Sequence, residues 1–284
     1  MSTAESTVEL PGANLDVSRM PGHWLLARLG KRVLRPGGLE LTRAMLSRLA
    51  VSSGDRVVEL APGLGTTLRL VLAMNPASYT GVERDEVAVR ATRRFLRQGR
   101  DECRQGVASK TGLDGDSADV IFGEAMLTMN TAEQKASIIG EAFRVLKDGG
   151  RYGIHELGLL PDDLPEADKA EIQEALSRSI HIGARPLTVS EWRQALEAGG
   201  FEVISTQTAP MHLLQLGRLL QDEGVLGVLR ITSNVLRSPA ARRRVLEMRS
   251  VFRKYESKMC GVIVVARKRA ALASGDVSSS GRTS

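Results

Sequence analysis

The chain has 284 residues, 42% of them hydrophobic, and a net charge of +6, enough apolar content for one large packed domain or two small ones. It has no run of about 18 apolar residues and only two cysteines, Cys103 and Cys260, which excludes a bilayer-crossing apolar helix and a disulfide framework. With no apolar leader in the first ten residues, a reduced, cytoplasmic setting is expected.

Residues 1–14 are Ser/Thr-rich and lack apolar periodicity, so they read as a disordered tail, as do residues 269–284. Residues 15–50 read as N-terminal helices: one over Trp24–Leu34, broken by Arg35-Pro36-Gly37-Gly38, and a second over Leu39–Leu49. From 51 to 210 strands and helices alternate. Strands are expected at Arg56–Leu60, Tyr79–Glu83, Cys103–Ala108, Ala118–Phe122, Tyr152–Leu157 and Phe201–Thr206. Helices are expected at Thr66–Met74, Glu86–Gln98, Thr131–Leu146, Pro165–Arg178 and Val189–Ala198. Asn130 and Glu133 have capping-box spacing, and Gly149 suits a helix stop.

Residues 211–258 break the alternation. Leu213–Leu220, Val225–Leu236 and Ala240–Tyr255 read as three helices, the last capped by Ser238 with Pro239 in its first turn. This segment holds ten Lys/Arg against four Asp/Glu, so the basic character belongs to it. A β-branched strand within 259–268 closes the fold. The pattern is that of an α/β doubly wound, Rossmann-like, mostly parallel sheet with N-terminal helices and a helical insertion before the last strand.

The chemistry concentrates in Glu59-Leu60-Ala61-Pro62-Gly63-Leu64-Gly65, an apolar strand running through a carboxylate into a Gly-x-Gly turn. Glycines there let a small anionic or zwitterionic ligand approach the backbone. Glu83 ends the next strand 18 residues after Gly65, where a carboxylate can accept hydrogen bonds from ribose hydroxyls. Gly106-Val107-Ala108 follows at the third strand end.

These residues resemble the class I S-adenosylmethionine-dependent methyltransferases, over roughly Thr42 to Phe201. Glu59-x-Ala61-x-Gly63-x-Gly65 matches the family's first motif, Glu83 its acidic ribose ligand, and Arg144-Val145-Leu146-Lys147-Asp148-Gly149-Gly150 its Arg-Val-Leu-Lys-Pro-Gly-Gly signature, with Asp148 for proline. Leu187-Thr188 through Ala198-Gly199-Gly200-Phe201 is similar to the later Leu-Thr … Ala-Gly-Phe helix. The small-molecule branch, which includes the ubiquinone/menaquinone-biosynthesis enzymes (methyltransferase type 11), is the most similar. The resemblance implies S-adenosyl-L-methionine as cofactor, bound by Glu59, Ala61, Pro62, Gly63, Gly65, Glu83, Arg84, Val107, Ala108 and Glu124. Val107 departs from the Asp that often binds the adenine amino group, which leaves that contact to backbone atoms, Ser109 or Lys110.

Methyl transfer to oxygen or carbon often needs a base. Glu124 after the fourth strand, His155 and Glu156 at the end of the fifth, and His181 before Arg185-Pro186 are the candidates. The insertion is expected to cover a pocket for a small hydrophobic or anionic acceptor. Its apolar stripe of Val245, Met248, Val251/Phe252 and Tyr255 suits such an acceptor or a homodimer interface. Arg242, Arg243 and Arg244 suit an anionic group, peripheral contact with an acidic membrane, or most simply a solvated face. No base-methylating Asn-Pro-Pro-Tyr or Pro-Cys motif and no metal-ligand spacing occurs, so neither nucleic acid nor metal is expected. Two other readings stay open here. One is a cofactor-binding module without catalysis; the other is an NAD(P)-dependent oxidoreductase, disfavoured because Leu68 stands where a third glycine belongs.

Overall fold

The computed structural model describes residues 10–12, 15–211 and 213–270. Most of the two expected tails therefore lies outside the described residues. The chain opens with α1 (Gly22–Arg28) and α2 (Gly38–Leu49), then alternates: β1 (Arg56–Leu60), α3 (Thr66–Ala73), β2 (Ser78–Glu83), α4 (Glu86–Arg93), β3 (Asp101–Gln105) and β4 (Ala118–Glu124). It continues through α5 (Ala132–Val145), β5 (Leu146–Leu159), α6 (Glu166–Ile180), the two-residue β6 (Leu187–Thr188), α7 (Val189–Ala198) and β7 (Phe201–Pro210). The insertion forms α8 (Leu216–Arg237) and α9 (Pro239–Lys254) before β8 (Met259–Lys268).

The sheet order is β3-β2-β1-β4-β5-β8-β7. β1 to β5 pair in parallel, and β8 runs antiparallel between β5 and β7. All ends that bear the motif residues, Glu59, Glu83 and Glu124, therefore lie at one edge of the sheet, where open α/β sheets bind ligands. Ile138, Ala142, Trp192 and Leu196 of α5 and α7 pack with Val262 and Val264 in one core cluster, and Met45, Leu49, Leu68 and Val71 of α2 and α3 pack with Ile263 and Val265 in another. The alternation along β8 splits its side chains between the two faces.

Several boundaries differ from the sequence expectation for identifiable reasons. The helix expected over Trp24–Leu34 stops at Arg28, because the chain turns at Gly30 with φ +103°. The capping box of α5 forms one residue later than expected: Thr131 accepts from the Gln134 N–H, and Gln134 reaches back. Asn130 is occupied elsewhere, donating to the Met126 carbonyl at 2.7 Å. Gly149 does not end a helix. Leu146 already pairs with Ala118, and Gly149 lies in the irregular stretch where the β4–β5 register shifts. The two helices expected at Leu213–Leu220 and Val225–Leu236 join in α8, broken only by non-helical Gly224.

A third apolar cluster sits apart from the sheet faces. It gathers Met20, Leu25 and Leu29 with Ile172 and Leu176 of α6 and Met248, Phe252 and Tyr255 of α9, under the end of β5 at Leu157 and Leu159. Each such buried side chain contributes about 1.5–3 kcal/mol. Polar pegs fix the helices in place. Glu223, at the kink of α8, accepts from the backbone N–H groups of Arg32 at 2.8 Å and Val33 at 2.9 Å and lies 3.8 Å from buried Lys31. Arg244 is buried and donates to the carbonyls of Val17 and Met20, so it is not part of a solvated face; Arg242 and Arg243 are exposed.

Removing Glu223 strands a buried ammonium and two buried N–H groups. Glu223→Ala should lower stability by about 3–5 kcal/mol in urea unfolding. Pairing Glu223→Leu with Lys31→Met should recover much of that loss, since an apolar replacement removes both buried charges.

Candidate active site

The turn after β1 is built for close approach. Ala61, Gly63 and Gly65 all have positive φ, and a side chain at Gly63 would point into open space. The turn is pinned from both sides: the Ala61 N–H donates to the Val82 carbonyl at 2.8 Å, and Thr92 Oγ1 donates to the Gly63 carbonyl at 3.0 Å. Glu83 holds it too, accepting from the Gly63 N–H at 3.0 Å and the Asp85 N–H at 2.9 Å. Gly65 serves differently, as the left-handed cap of α3 packed near Phe95. Leu68, at the third-glycine position of a dinucleotide fingerprint, is fully buried in the core.

A cavity of ≈ 630 Å³ opens over this turn. Glu59, Ala61, Pro62 and Gly63 line it from β1, Glu83 and Arg84 from β2, Val107, Ala108 and Ser109 from the loop after β3, and Glu124 from β4. Lys110 is not among its lining residues. At its other end the walls turn apolar: Trp24 and Leu26 of α1, Leu176 and Ile180 of α6, and Met248 and Phe252 of α9.

Glu124 is the most densely partnered of the lining carboxyls. Arg35 Nη1 ion-pairs with it, the hydroxyls of Thr42 and Thr67 donate to it, and His155 Nδ1 lies 2.8 Å away. Burial pushes this carboxyl up, yet the Arg35 guanidinium with His155 and Thr42 outweighs burial and holds it at about 2. Glu59 has the opposite fate. Burial pushes it to about 8, against a hydrogen bond from the Tyr79 hydroxyl at 2.6 Å. One cavity thus holds an ionised and a neutral carboxyl.

The other sequence candidates lie elsewhere. His155 is fully buried, with Nε2 against the Pro36 carbonyl, and it does not line the cavity. Glu156 is fully buried as well and accepts from the N–H groups of Met126, Leu127 and Thr128 and from the Thr128 hydroxyl. It shapes the turn after β4; burial raises its pKa despite these donors. His181 is exposed at the left-handed end of α6, while its neighbours Ile180 and Ile182 face the cavity. His23, which the sequence does not single out, lines the cavity beside Trp24, with ring centroids 4.6 Å apart. Burial, with Arg84 adding to it, pushes its ring down to about 4. Arg35, read in the sequence only as part of a helix break, also faces the cavity.

A methyltransferase-domain family model matches residues 57–150, the stretch from β1 to the Gly149-Gly150 signature. An uncharacterized protein of Haemophilus influenzae is 31% identical over 87% of this chain and 98% of its own length. The methyltransferase phqN of Penicillium fellutanum is 28% identical over 67% of this chain and 59% of its own. The chain belongs to the class I S-adenosylmethionine-dependent methyltransferases. Phosphoethanolamine N-methyltransferase 2 of Haemonchus contortus, solved with S-adenosyl-L-methionine, shares the fold at TM-score 0.64 and 17% identity, covering 88% of this chain and 56% of that one. S-adenosyl-L-methionine is the methyltransferase's cofactor, and the open Gly63 turn beside Glu83 fits such a ligand.

Glu59 binds a proton in the folded state up to about pH 8, and in the unfolded chain only to about 4.5. A raised carboxyl gives stability that is full below the unfolded value and lost as pH rises through the folded one. Stability from this group therefore falls by about 1.4 kcal/mol per unit between those limits. Glu59→Gln should remove that slope, so that the difference from wild type grows from pH 5 to pH 8 in urea unfolding of the cofactor-free protein.

Proposed function

We propose that this methyltransferase acts on a small apolar acceptor carrying an oxygen or nitrogen nucleophile, within a reduced cytoplasmic compartment. The observation that carries the reading is the division of one cavity into a polar half at the glycine turn and an apolar half under α1, α6 and α9. Bound there, the cofactor would supply a methyl group activated by its sulfonium, transferred to the acceptor's lone pair with the sulfide as leaving group. The turn at Ala61–Gly63 and the Glu83 carboxylate hold the cofactor's polar part. Glu83 already uses one acceptor position on each oxygen for backbone and keeps others for hydroxyl donors. Val107 is half-open to the cavity and gives the adenine an apolar contact, with Ser109 the nearby polar side chain.

In the apolar half, Trp24, Ile180, Met248 and Phe252 exclude water and orient the acceptor. His23 takes the acceptor's proton. No hydrogen bond to another described residue engages its ring, so a ring nitrogen is free to face the acceptor in the cavity. Glu124, fixed as an anion by Arg35, is a positioning group; His155 and Glu156 act through it and through the turn at Met126–Thr128.

The test uses radiolabelled cofactor with fractionated extracts, followed by kinetics on the acceptor found. His23→Ala should lower kcat by about 10²-fold or more while S-adenosylhomocysteine affinity by calorimetry stays near wild type. Glu83→Ala should weaken that affinity by about 1.5–3 kcal/mol, the loss of one charged acceptor. Labelled product only in the water-soluble, polar fraction would overturn the apolar acceptor, and an unchanged kcat in His23→Ala would remove His23 as base.

A further inference from the structure

The outer face of α8 carries large apolar side chains that nothing in the fold covers. Val225 is 66% exposed, Leu226 83%, Leu229 61% and Leu236 62%. At about 100° per residue, positions 225, 229 and 236 fall on one narrow stripe with 226 at its border. The opposite face is spoken for: Gly227 and Ile231 are buried, and Arg230 and Asn234 donate to the carbonyls of Gly30 and Leu29. The helix is thus amphipathic twice over, with one face pinned to the N-terminal segment and one presented outward.

Its surroundings are basic. Exposed Arg237 ends α8, and Arg242, Arg243, Arg249 and Arg253 are exposed on α9, beside Leu246 at 56% exposure. Between Gly224 and Arg253 the acidic residues reduce to Glu247. An apolar stripe bordered by arginines matches a bilayer bearing anionic headgroups: the leucines enter the acyl boundary and the guanidinium groups meet phosphate. It does not match a second copy of itself, because a twofold pairing along the stripe would bring like charges of the two copies together with little acid to answer them.

We propose that the α8–α9 pair docks on an anionic lipid surface through Val225, Leu226, Leu229 and Leu236, steered by the arginines around them. α9 of this pair also walls the cavity, with Met248 and Phe252 on its inner side. Docking therefore places the enzyme where apolar molecules accumulate. The docking itself rests on the exposed face and holds whatever acceptor is found.

The experiment is flotation of the full chain with vesicles of phosphatidylcholine alone or mixed with phosphatidylglycerol, at low and high salt. The expected result is flotation with the mixed vesicles only, weakened by salt. Leu226→Asp/Leu229→Asp and, separately, Arg237→Gln/Arg243→Gln should each reduce it about tenfold or more. Both pairs lie on the surface, so thermal unfolding and S-adenosylhomocysteine binding should stay at wild type; the arginine pair keeps the test decisive if the aspartates perturb α8. Equal flotation with neutral vesicles, no flotation at low salt, or variants that float like wild type would overturn the proposal. So would light scattering that shows a dimer split by Leu226→Asp/Leu229→Asp, which would assign the face to a second copy.

Discussion

The buried negative charge of Glu124 is the constraint on which the rest of this molecule depends. An unpaired carboxylate inside a protein costs several kcal/mol, so the fold has to bring it partners. They come from four separate places: Arg35 from the N-terminal segment, Thr42 from α2, Thr67 from α3 and His155 from β5. His155 closes the circuit by meeting the Pro36 carbonyl. The segment 35–37 is thereby drawn across the end of the sheet, and Gly261 of β8 makes room for it, since a Cβ there would lie 2.8 Å from Pro36 backbone atoms. Arg35 and Pro36 thereby line the cavity, a consequence of satisfying one charge.

The insertion depends on that segment in turn. Glu223 receives the N–H groups of Arg32 and Val33, Asp222 that of Leu39, and Arg244 donates to the carbonyls of Val17 and Met20. Backbone groups of a loop would otherwise be left without partners once buried. Two stretches about 190 residues apart in sequence thus complete each other's hydrogen bonding. Both stretches line the cavity, so its shape is set by long-range contacts and not by either piece alone.

This division explains what the sequence made legible. The strands, the Gly-x-Gly turn and the carboxylates at strand ends are local signals, readable from apolar runs and glycine positions; β1, β2, β4, α7 and β8 follow them closely. Strand-end position could not say which way a side chain turns. His155 and Glu156 sit at the right end of β5, yet alternation sends them to opposite faces and helices or turns bury both. His23 gave no signal of its own, because the cavity around it is closed by Leu176 and Ile180 of α6 and Met248 and Phe252 of α9, more than 150 residues further along. Arg35 looked like a helix breaker because its charge partner is 89 residues away. Arg244 looked like one of a solvated triplet, and only the carbonyls of Val17 and Met20 separate it from Arg242 and Arg243.

Two of the carboxyls that line the cavity show how such long-range assembly sets charge state. Glu59 and Glu124 are the same side chain at the ends of adjacent strands. Glu59 meets a phenol and apolar strand neighbours, so burial prevails and it stays protonated to about pH 8. Glu124 meets a guanidinium, so the pair prevails and it is ionised down to about pH 2. The difference lies in the partners: Arg35 of the N-terminal segment, with His155 and Thr42, surrounds Glu124, whereas Glu59 meets one phenol. Partners of opposite kind thus set two identical side chains on adjacent strands to opposite charge states near neutral pH. The motif places the glutamate at the strand end; the distant segment decides that its neighbour Glu124 is held as an anion.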